Sequence, residues 1–332
     1  MAVDIPNYRI IEKLGVGAQT RVFRARCMRT GADYTVKIVK VLKPEDASFI
    51  DLLRTEHAIG STIDHPVIRK VFELRLLRQR FRVRGAILFL EYVAGVALAD
   101  KEFNADLDET LRIFGHVAHG LQAMHLGGYV HADLKPNNIL VTSEGEVKLI
   151  DLGQSSKIHE AKAKIQGTID YMAPEQVQRG KLDQRTDVFG FGAALHRVVT
   201  GKSIATEMNQ TVSMHSQGLI GKRVSQLRES NMVKLPICVA RLIDDCCQGD
   251  PAARVSDMGA LIERIALART ILAKQSTGNA TAVDEVRPSE PAAEPVESVE
   301  PVDTADILEE LGLADGTDES ATKDSMEPPS QS

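Results

Sequence analysis

The 332-residue chain has no tryptophan, and aromatic side chains make up only 4% of it. Its four cysteines, Cys27, Cys238, Cys246 and Cys247, show no Cys-x-x-Cys spacing and no neighbouring histidine partner. That pattern supplies neither a disulfide framework nor a zinc site, and the adjacent pair 246–247 suits a helix face in a reducing compartment. Long apolar runs are also missing: the longest are strand-sized, far short of the ~20 residues of a membrane span. The opening MAVDIPNYRI has no basic segment followed by an apolar core, so it does not read as a signal peptide. A cytoplasmic protein with no membrane span is expected.

What is present is ordinary for a globular protein: 43% hydrophobic and 26% charged residues, enough to build a sizeable core. The net charge of −6 hides an asymmetry. From Lys274 onward there are 15 acids and 3 bases, a net of −12, so the preceding part is near +6. The chain joins a basic body to an acidic tail.

Residues 8–42 alternate apolar and polar, a strand periodicity broken by turns containing glycine. Residues 45–63 place Phe49, Leu52, Leu53, Ile59 and Ile63 at helical spacing, and two further strand-like runs, 67–78 and 80–92, lead into FLEYVAG. From 105 the pattern turns helical, with acids at the start of DLDETLRIFGHVAHGLQAMHL and a stop at Gly127–Gly128. Short strands VHAD, NNILV and VKLID follow, and 186–272 reads mainly as helices. The tail, rich in Pro, Glu, Ala and Ser, cannot bury enough surface to offset chain entropy and is expected to be disordered. One island, DTADILEELGLAD, spaces Ile307, Leu308, Leu311 and Leu313 for a helix over 303–313, too short to be stable alone.

Several residues carry chemistry. LGVGAQTRV at 14–22 is a Gly-x-Gly turn between strands: either an ordinary hairpin, or a loop whose free amides face an anion. Lys37 points opposite to Val36 and Ile38 on its strand, toward solvent or into a cleft. Glu56 lies mid-helix, at the surface unless the helix packs on the sheet and pairs it with Lys37. HADLKPNN at 131–138 then gathers a carboxylate (Asp133), an ammonium (Lys135) and an amide (Asn138) within six residues of loop. Asp151 ends an apolar strand before Gly153. Asp and Asn oxygens suit Mg²⁺, a hard ion that takes few protein ligands and shares substrate phosphates. N-caps and turns would explain any one of these residues, but hardly all.

In order and spacing, LGVGAQTRV, TVK at 35–37, Glu56, HADLKPNN, DLG at 151–153, GTIDYMAPE at 167–175, TDVFGFG at 186–192 and DPAAR at 250–254 resemble the eukaryotic-type serine/threonine protein kinase family, with wording similar to its bacterial members. The resemblance covers residues 8–272. It implies an α+β, bilobal protein kinase fold: a β-rich N-lobe with one main helix over about 8–92, an α-helical C-lobe over about 93–272, and a disordered tail at 273–332. It implies ATP and Mg²⁺ as cofactors and proteins bearing Ser or Thr as partners; the few aromatics and the acidic balance of the whole chain argue against nucleic acid. Gly15 and Gly17 would cover the phosphates, and Lys37, paired with Glu56, would hold them. Leu90 would be the gatekeeper beside adenine, which the backbone of Glu91 and Val93 would bind in a slot lined by Val22, Thr35 and Leu140. Asp133 would orient and deprotonate the substrate hydroxyl, Lys135 would neutralise the transferring phosphate, and Asn138 and Asp151 would hold the metal. Lys135 and Thr168 resemble the serine/threonine branch. Glu175 with Arg254, and Asp187, match architectural positions.

The chain departs from the family pattern at four places. Thr20 replaces the third loop glycine, and Thr35 replaces a small alanine. Gly60 stands where a large apolar residue normally locks the helix, so that helix is expected to be mobile and to need a steadying partner. Ala132 replaces an arginine that, in most relatives, requires an activation-loop phosphate to neutralise it. Basal activity is therefore expected to be independent of phosphorylation at Ser155, Ser156 or Thr168. RKVFELRLLRQRFRVRG (69–85), with seven basic residues in 17, reads as a solvated sheet face or as a docking patch for an acidic partner such as the tail. The alternative to an enzyme is a kinase-fold pseudoenzyme acting as a scaffold, which the retained Lys37, Asp133, Asn138 and Asp151 disfavour.

Overall fold

The computed structural model describes residues 5–17, 19–79, 81–162, 164, 167–204 and 235–279. The acidic tail beyond 279, and with it the helix expected at 303–313, lies outside the described residues.

The first part is an antiparallel sheet of β1 (Tyr8–Val16), β2 (Thr20–Cys27), β3 (Asp33–Lys40), β4 (Val71–Gln79) and β5 (Arg82–Glu91), in the order β1-β2-β3-β5-β4. Strand alternation divides its side chains between two faces. Phe23, Ala25, Val36, Ile38, Ile87 and Phe89 pack on one, together with Ile5. Val39, Ala86, Leu88 and Leu90 pack on the other, against Ile50 and Leu53 of α1 (Ala47–Gly60). Buried on both faces, β5 is a continuous apolar run, AILFL, rather than an alternating one.

Past Glu91 the chain enters the helical part through β6 (Gly95–Ala97). α2 (Leu107–Leu126) starts where the Asp106 carboxylate accepts the Glu109 amide at 2.8 Å, and it ends at Gly127 and the left-handed Gly128. Its Leu111, Phe114, Val117, Leu121 and Met124 recur every three or four residues and are fully buried. They meet α4 (Gln184–Thr200), whose Phe191 stands edge-on to Phe114 at 5.1 Å. α5 (Ile237–Cys246) and α6 (Met258–Asn279) complete this core. A Cβ on Gly192 would lie 2.6 Å from both Cys246 and Cys247, so α4 and α5 cross where only hydrogen fits. Burial pushes the Cys246 thiol up, and the cysteine pair is part of the core.

Between the helices run β7 (Tyr129–Val130), β8 (Ile139–Thr142), β9 (Val147–Leu149) and β10 (Ser156–Lys157), followed by the single-turn α3 (Pro174–Val177). β6, β8 and β9 form a small sheet and β7 pairs with β10. The expected strand VHAD ends at Val130, because the next residues are claimed by side chains rather than by a neighbouring strand. α6 continues beyond residue 272 to Asn279. Among the described residues, no helix is long and apolar enough to cross a membrane.

Candidate active site

Val22 pairs across the sheet with Lys37, and Thr35 with Leu90, so Val22, Thr35, Lys37, Leu88 and Leu90 share the face that meets α1. Lys37 points inward, as Val36 and Ile38 occupy the opposite face. Its Nζ donates to Glu56 Oε1 and Oε2 at 2.9 and 2.7 Å and to Asp151 Oδ1 at 3.0 Å. That ammonium therefore joins the sheet, α1 and the strand end after β9.

Glu56 is 2% exposed and has a second cation, which the sequence reading did not find. The Arg69 guanidinium, also buried, donates to Glu56 Oε1 at 3.2 Å. The expected solvated face over 69–85 is corrected at this residue: a carboxylate shut off from water draws in every cation within reach. Arg75 is also engaged, paired with Glu73 at 2.7 Å and lying 4.4 Å from the Phe89 ring. The signal for Arg69 was present but quiet, a charged residue directly after the apolar Val67–Ile68.

Gly60 is closely packed: a Cβ would fall 2.2 Å from Val71 Cγ2 and 3.5 Å from Leu152 Cδ1. The volume of the missing side chain is filled from β4, and the helix backbone closes onto it.

The catalytic-loop candidates are fixed by α4. Asp187, buried at the start of that helix, accepts the backbone N–H groups of His131 and Ala132 at 2.8 Å each and lies 2.8 Å from His125 Nε2. Its carboxyl is held below the usual range by His125 despite the opposing effect of burial. The Gln176 side chain donates to the Ala132 carbonyl at 2.8 Å. Pinned on both sides, Ala132 adopts φ 60°, a conformation uncommon for a residue with a Cβ. Its methyl packs in an apolar cluster with Val130, Leu182 and Ile158.

That strained turn presents Asp133. Its Oδ2 accepts from Lys135 Nζ at 2.9 Å and its Oδ1 from the Thr168 amide at 2.9 Å. Lys135 also donates to Thr168 Oγ1 at 2.8 Å. Gly167 takes φ 120°, and a Cβ there would crowd Asp133 Oδ1 at 3.3 Å, so the approach of residues 167–168 needs glycine. Asn138 donates its Nδ2 to the Asp133 carbonyl at 2.9 Å, and no donor among the described residues occupies its amide oxygen. The Asn138 carbonyl accepts the Ile150 amide at 2.9 Å, which sets Asn138 beside the strand end that carries Asp151.

Asp151 is left-handed at φ 66°, and 42% of its side chain remains accessible. Lys37, with lesser help from Arg69 and Lys135, holds its carboxyl well below the usual carboxylate range, so it is ionised at neutral pH. An ionised carboxylate that is partly accessible and an amide oxygen with no donor on it among the described residues form a hard-oxygen pair. This donor set fits a divalent cation shared with phosphates.

Glu91, Val93 and Leu140 lie where the sheet passes into the helical part. The Glu91 amide is already bonded to the Lys70 carbonyl at 2.9 Å, and its carboxylate reaches Lys148 of β9 at 2.8 Å. Val93 is half-buried, and its carbonyl accepts from Gly95 at 3.1 Å. Leu140 lies on β8 opposite Ala97. Gly15, in β1, pairs with Val22, and the Gly17 amide donates to the Thr20 carbonyl at 2.7 Å, so the Gly-x-Gly turn closes a hairpin above this face. Farther out, Arg254 grips Glu175 bidentately at 2.8 Å.

Comparison with known proteins gives the same picture. A probable serine/threonine-protein kinase of Clostridium acetobutylicum is 27% identical over 272 residues, covering 78% of this chain and 39% of the relative. Serine/threonine-protein kinase PknA of Mycobacterium tuberculosis is 28% identical over 271 residues, 79% of this chain and 61% of PknA. PknB of the same species is 29% identical over 207 residues, 59% of this chain and 33% of PknB. The chain thus spans less than two thirds of the length of each of these relatives. The family model described as protein kinase domain matches residues 8–266, and the chain belongs to that family.

Proposed function

We propose that the chain is an ATP- and Mg²⁺-dependent serine/threonine protein kinase that passes the γ-phosphate of ATP to protein Ser or Thr hydroxyls. The observation that carries this reading is the Asp133–Lys135–Thr168 arrangement, in which one ammonium bridges a buried carboxylate and a hydroxyl. The same ammonium acts on Asp151.

The roles follow from what each group can do. Lys37, steadied by Glu56, supplies fixed positive charge for ATP phosphates beneath the hairpin of Gly15 and Gly17. Val22, Thr35 and Leu140 enclose the adenine ring. The Glu91 carbonyl and the Val93 amide are left for its polar edge, since the Glu91 amide is already taken. Asn138 and Asp151 would hold Mg²⁺, which when bound neutralises charge on the phosphates. Asp133 accepts a hydrogen bond from the incoming hydroxyl and takes its proton, while Lys135 offsets charge on the transferred group. Phosphoryl transfer needs little covalent help, so such positioning and neutralisation is the main catalytic contribution.

The reading extends to regulation. Ala132 contributes a methyl to an apolar cluster, so the position just before Asp133 holds no cation that an activation-segment phosphate would need to neutralise. The Ser155 hydroxyl donates to the His131 carbonyl at 3.3 Å, and the Ser156 hydroxyl is buried. Thr168 already serves Lys135. Activity without activation-segment phosphate follows, in a cytoplasmic protein whose acidic tail would contact exposed bases of the β4–β5 region or a partner.

The test is Mg-ATP turnover on a generic Ser/Thr protein substrate. Asp133→Asn should lower kcat by about 10²–10⁴-fold, the usual contribution of a positioned base, and should leave nucleotide binding intact. Equal turnover by Asp133→Asn and the unmodified chain would sink the assignment.

A further inference from the structure

Lys162 lies in the stretch that returns from β10 toward Gly167, and its ammonium is turned into the protein. The residue is half-buried, and its Nζ donates to the Gln154 carbonyl, eight residues back. Among the described residues its hydrogen-bond partner is this neutral carbonyl and not a carboxylate. A methionine would fill the same space without the cost of shielding an ammonium from water. What the lysine contributes is charge.

We propose that Lys162 is a positioning residue, a cation carried by the activation segment that clamps this segment onto the catalytic loop beside Ala132 and so steadies Asp133 without a phosphate. The proposal rests on the kinase reading for the reaction whose rate Lys162 affects. It rests on geometry for the clamp.

The backbone carries Lys162 to this place. The His159 amide donates to the Leu182 carbonyl at 2.7 Å, the Leu182 amide to the Glu160 carbonyl at 3.1 Å, and Ala161 bridges to Lys181. Lys162 then shares a small cavity with Gln176 and Leu182. Leu182 packs with the Ala132 methyl, and Gln176 holds the Ala132 carbonyl, so the lysine arrives next to the turn at 131–133. Burial pushes its ammonium down in pKa, and two carboxylates of that turn and its anchor, Asp133 and then Asp187, oppose the shift. Asp187 is shut off from water, and its neighbour His125 is charged only when protonated. Lys162 therefore adds a positive field at a buried carboxylate that the histidine alone does not guarantee. The segment touches the loop on either side of Lys162: the Ser155 hydroxyl donates to the His131 carbonyl at 3.3 Å, and the Thr168 amide to Asp133 Oδ1 at 2.9 Å. By gripping Gln154, Lys162 secures the first contact and shortens the run of chain leading to the second.

The experiment uses the full chain after phosphatase treatment, so that no phosphate contributes. With Mg-ATP and a generic Ser/Thr protein substrate, Lys162→Met should lower kcat by about tenfold, the size of one hydrogen bond to a charged group. The KM for ATP should stay as it was, since Lys162 touches no nucleotide, and Lys162→Arg should recover most of the loss. Lys164, exposed at the rim of the same cavity, is the control: Lys164→Met should not change turnover. The thermal midpoint of Lys162→Met should hold or rise, because burial disfavours the ammonium that is removed. A residue that only held the fold together would lower it. Full turnover by Lys162→Met, an equal loss in Lys164→Met, or an Arg variant no better than Met overturns the proposal. So does a loss of kcat that merely follows a fall in midpoint. If the unmodified chain turns over no ATP, the kinase reading fails, and amide hydrogen exchange over 154–162 still decides the clamp. That exchange should rise about tenfold in Lys162→Met and much less in Lys162→Arg; equal exchange in the two variants refutes it.

Discussion

Gly60 shows how much one absent side chain decides. Gly60→Ala would put a methyl within 2.2 Å of Val71 Cγ2, and overpacking of this kind costs about 1–3 kcal/mol. The thermal midpoint should fall, and Val71→Ala added to Gly60→Ala should recover part of the loss. A double variant no better than the single one would show that the contact is not the cause. From the sequence this glycine reads as a weakness, because sequence shows the missing group and not the Val71 side chain that fills its volume. Arg69 escaped for a related reason. Basic residues alternating on a strand suggest a solvated face, and only the burial of Glu56 explains why one of them turns inward. Asp133, Lys135 and Asn138 were legible because their chemistry is gathered within a single loop.

At the scale of elements, residues 156–158 are strapped to β7: Ser156 pairs with Val130, Lys157 with Tyr129, and the Ile158 amide bonds to the Gly128 carbonyl. Lys162 adds a bond to the Gln154 carbonyl, and burial pushes its ammonium down in pKa. A segment held this way should not depend on covalent phosphate. Phosphatase treatment should leave kcat/KM within about twofold, a shift below half a kcal/mol, and Ser155→Ala and Ser156→Ala should behave likewise; loss of turnover in any arm contradicts it. The sheet offers an acid-range prediction. Asp33 on β3 is lowered to about 2, chiefly by its hydrogen bond to Arg26 and then by Arg24. Its folded value lies below its unfolded one, so its contribution is complete above about pH 4 and is lost as pH falls toward 2. Asp33→Asn should flatten the dependence of the thermal midpoint on pH across that window. Element types were legible from periodicity. The 131–133 turn was not, since its shape comes from Asp187, more than fifty residues later.

For the whole molecule, Arg254 links the end of the activation segment to the helical core, bonding Glu175 and the carbonyls of Gln248 and Arg185. Arg254→Ala leaves Glu175 without its cation, and breaking such a pair costs about 3–5 kcal/mol. A large drop in thermal midpoint should result, and an unchanged midpoint would refute this role. The acidic tail poses a separate question. Because α6 runs to Asn279, truncation belongs after that residue; if the tail contacts basic residues such as Lys70, Arg78 and Arg82, its removal should alter the salt dependence of turnover. An identical salt profile would dispose of the contact. The division into a sheet part and a helical part was legible, whereas the joints between them were not. Among the described residues, several stitches cross that division: Val67 and Arg69 bond through their backbones to Leu149, Glu91 reaches Lys148, and Lys37 bonds Asp151. These contacts fasten onto β9 or the residues just after it, so the stretch 148–151 is a short rail from which the sheet part hangs.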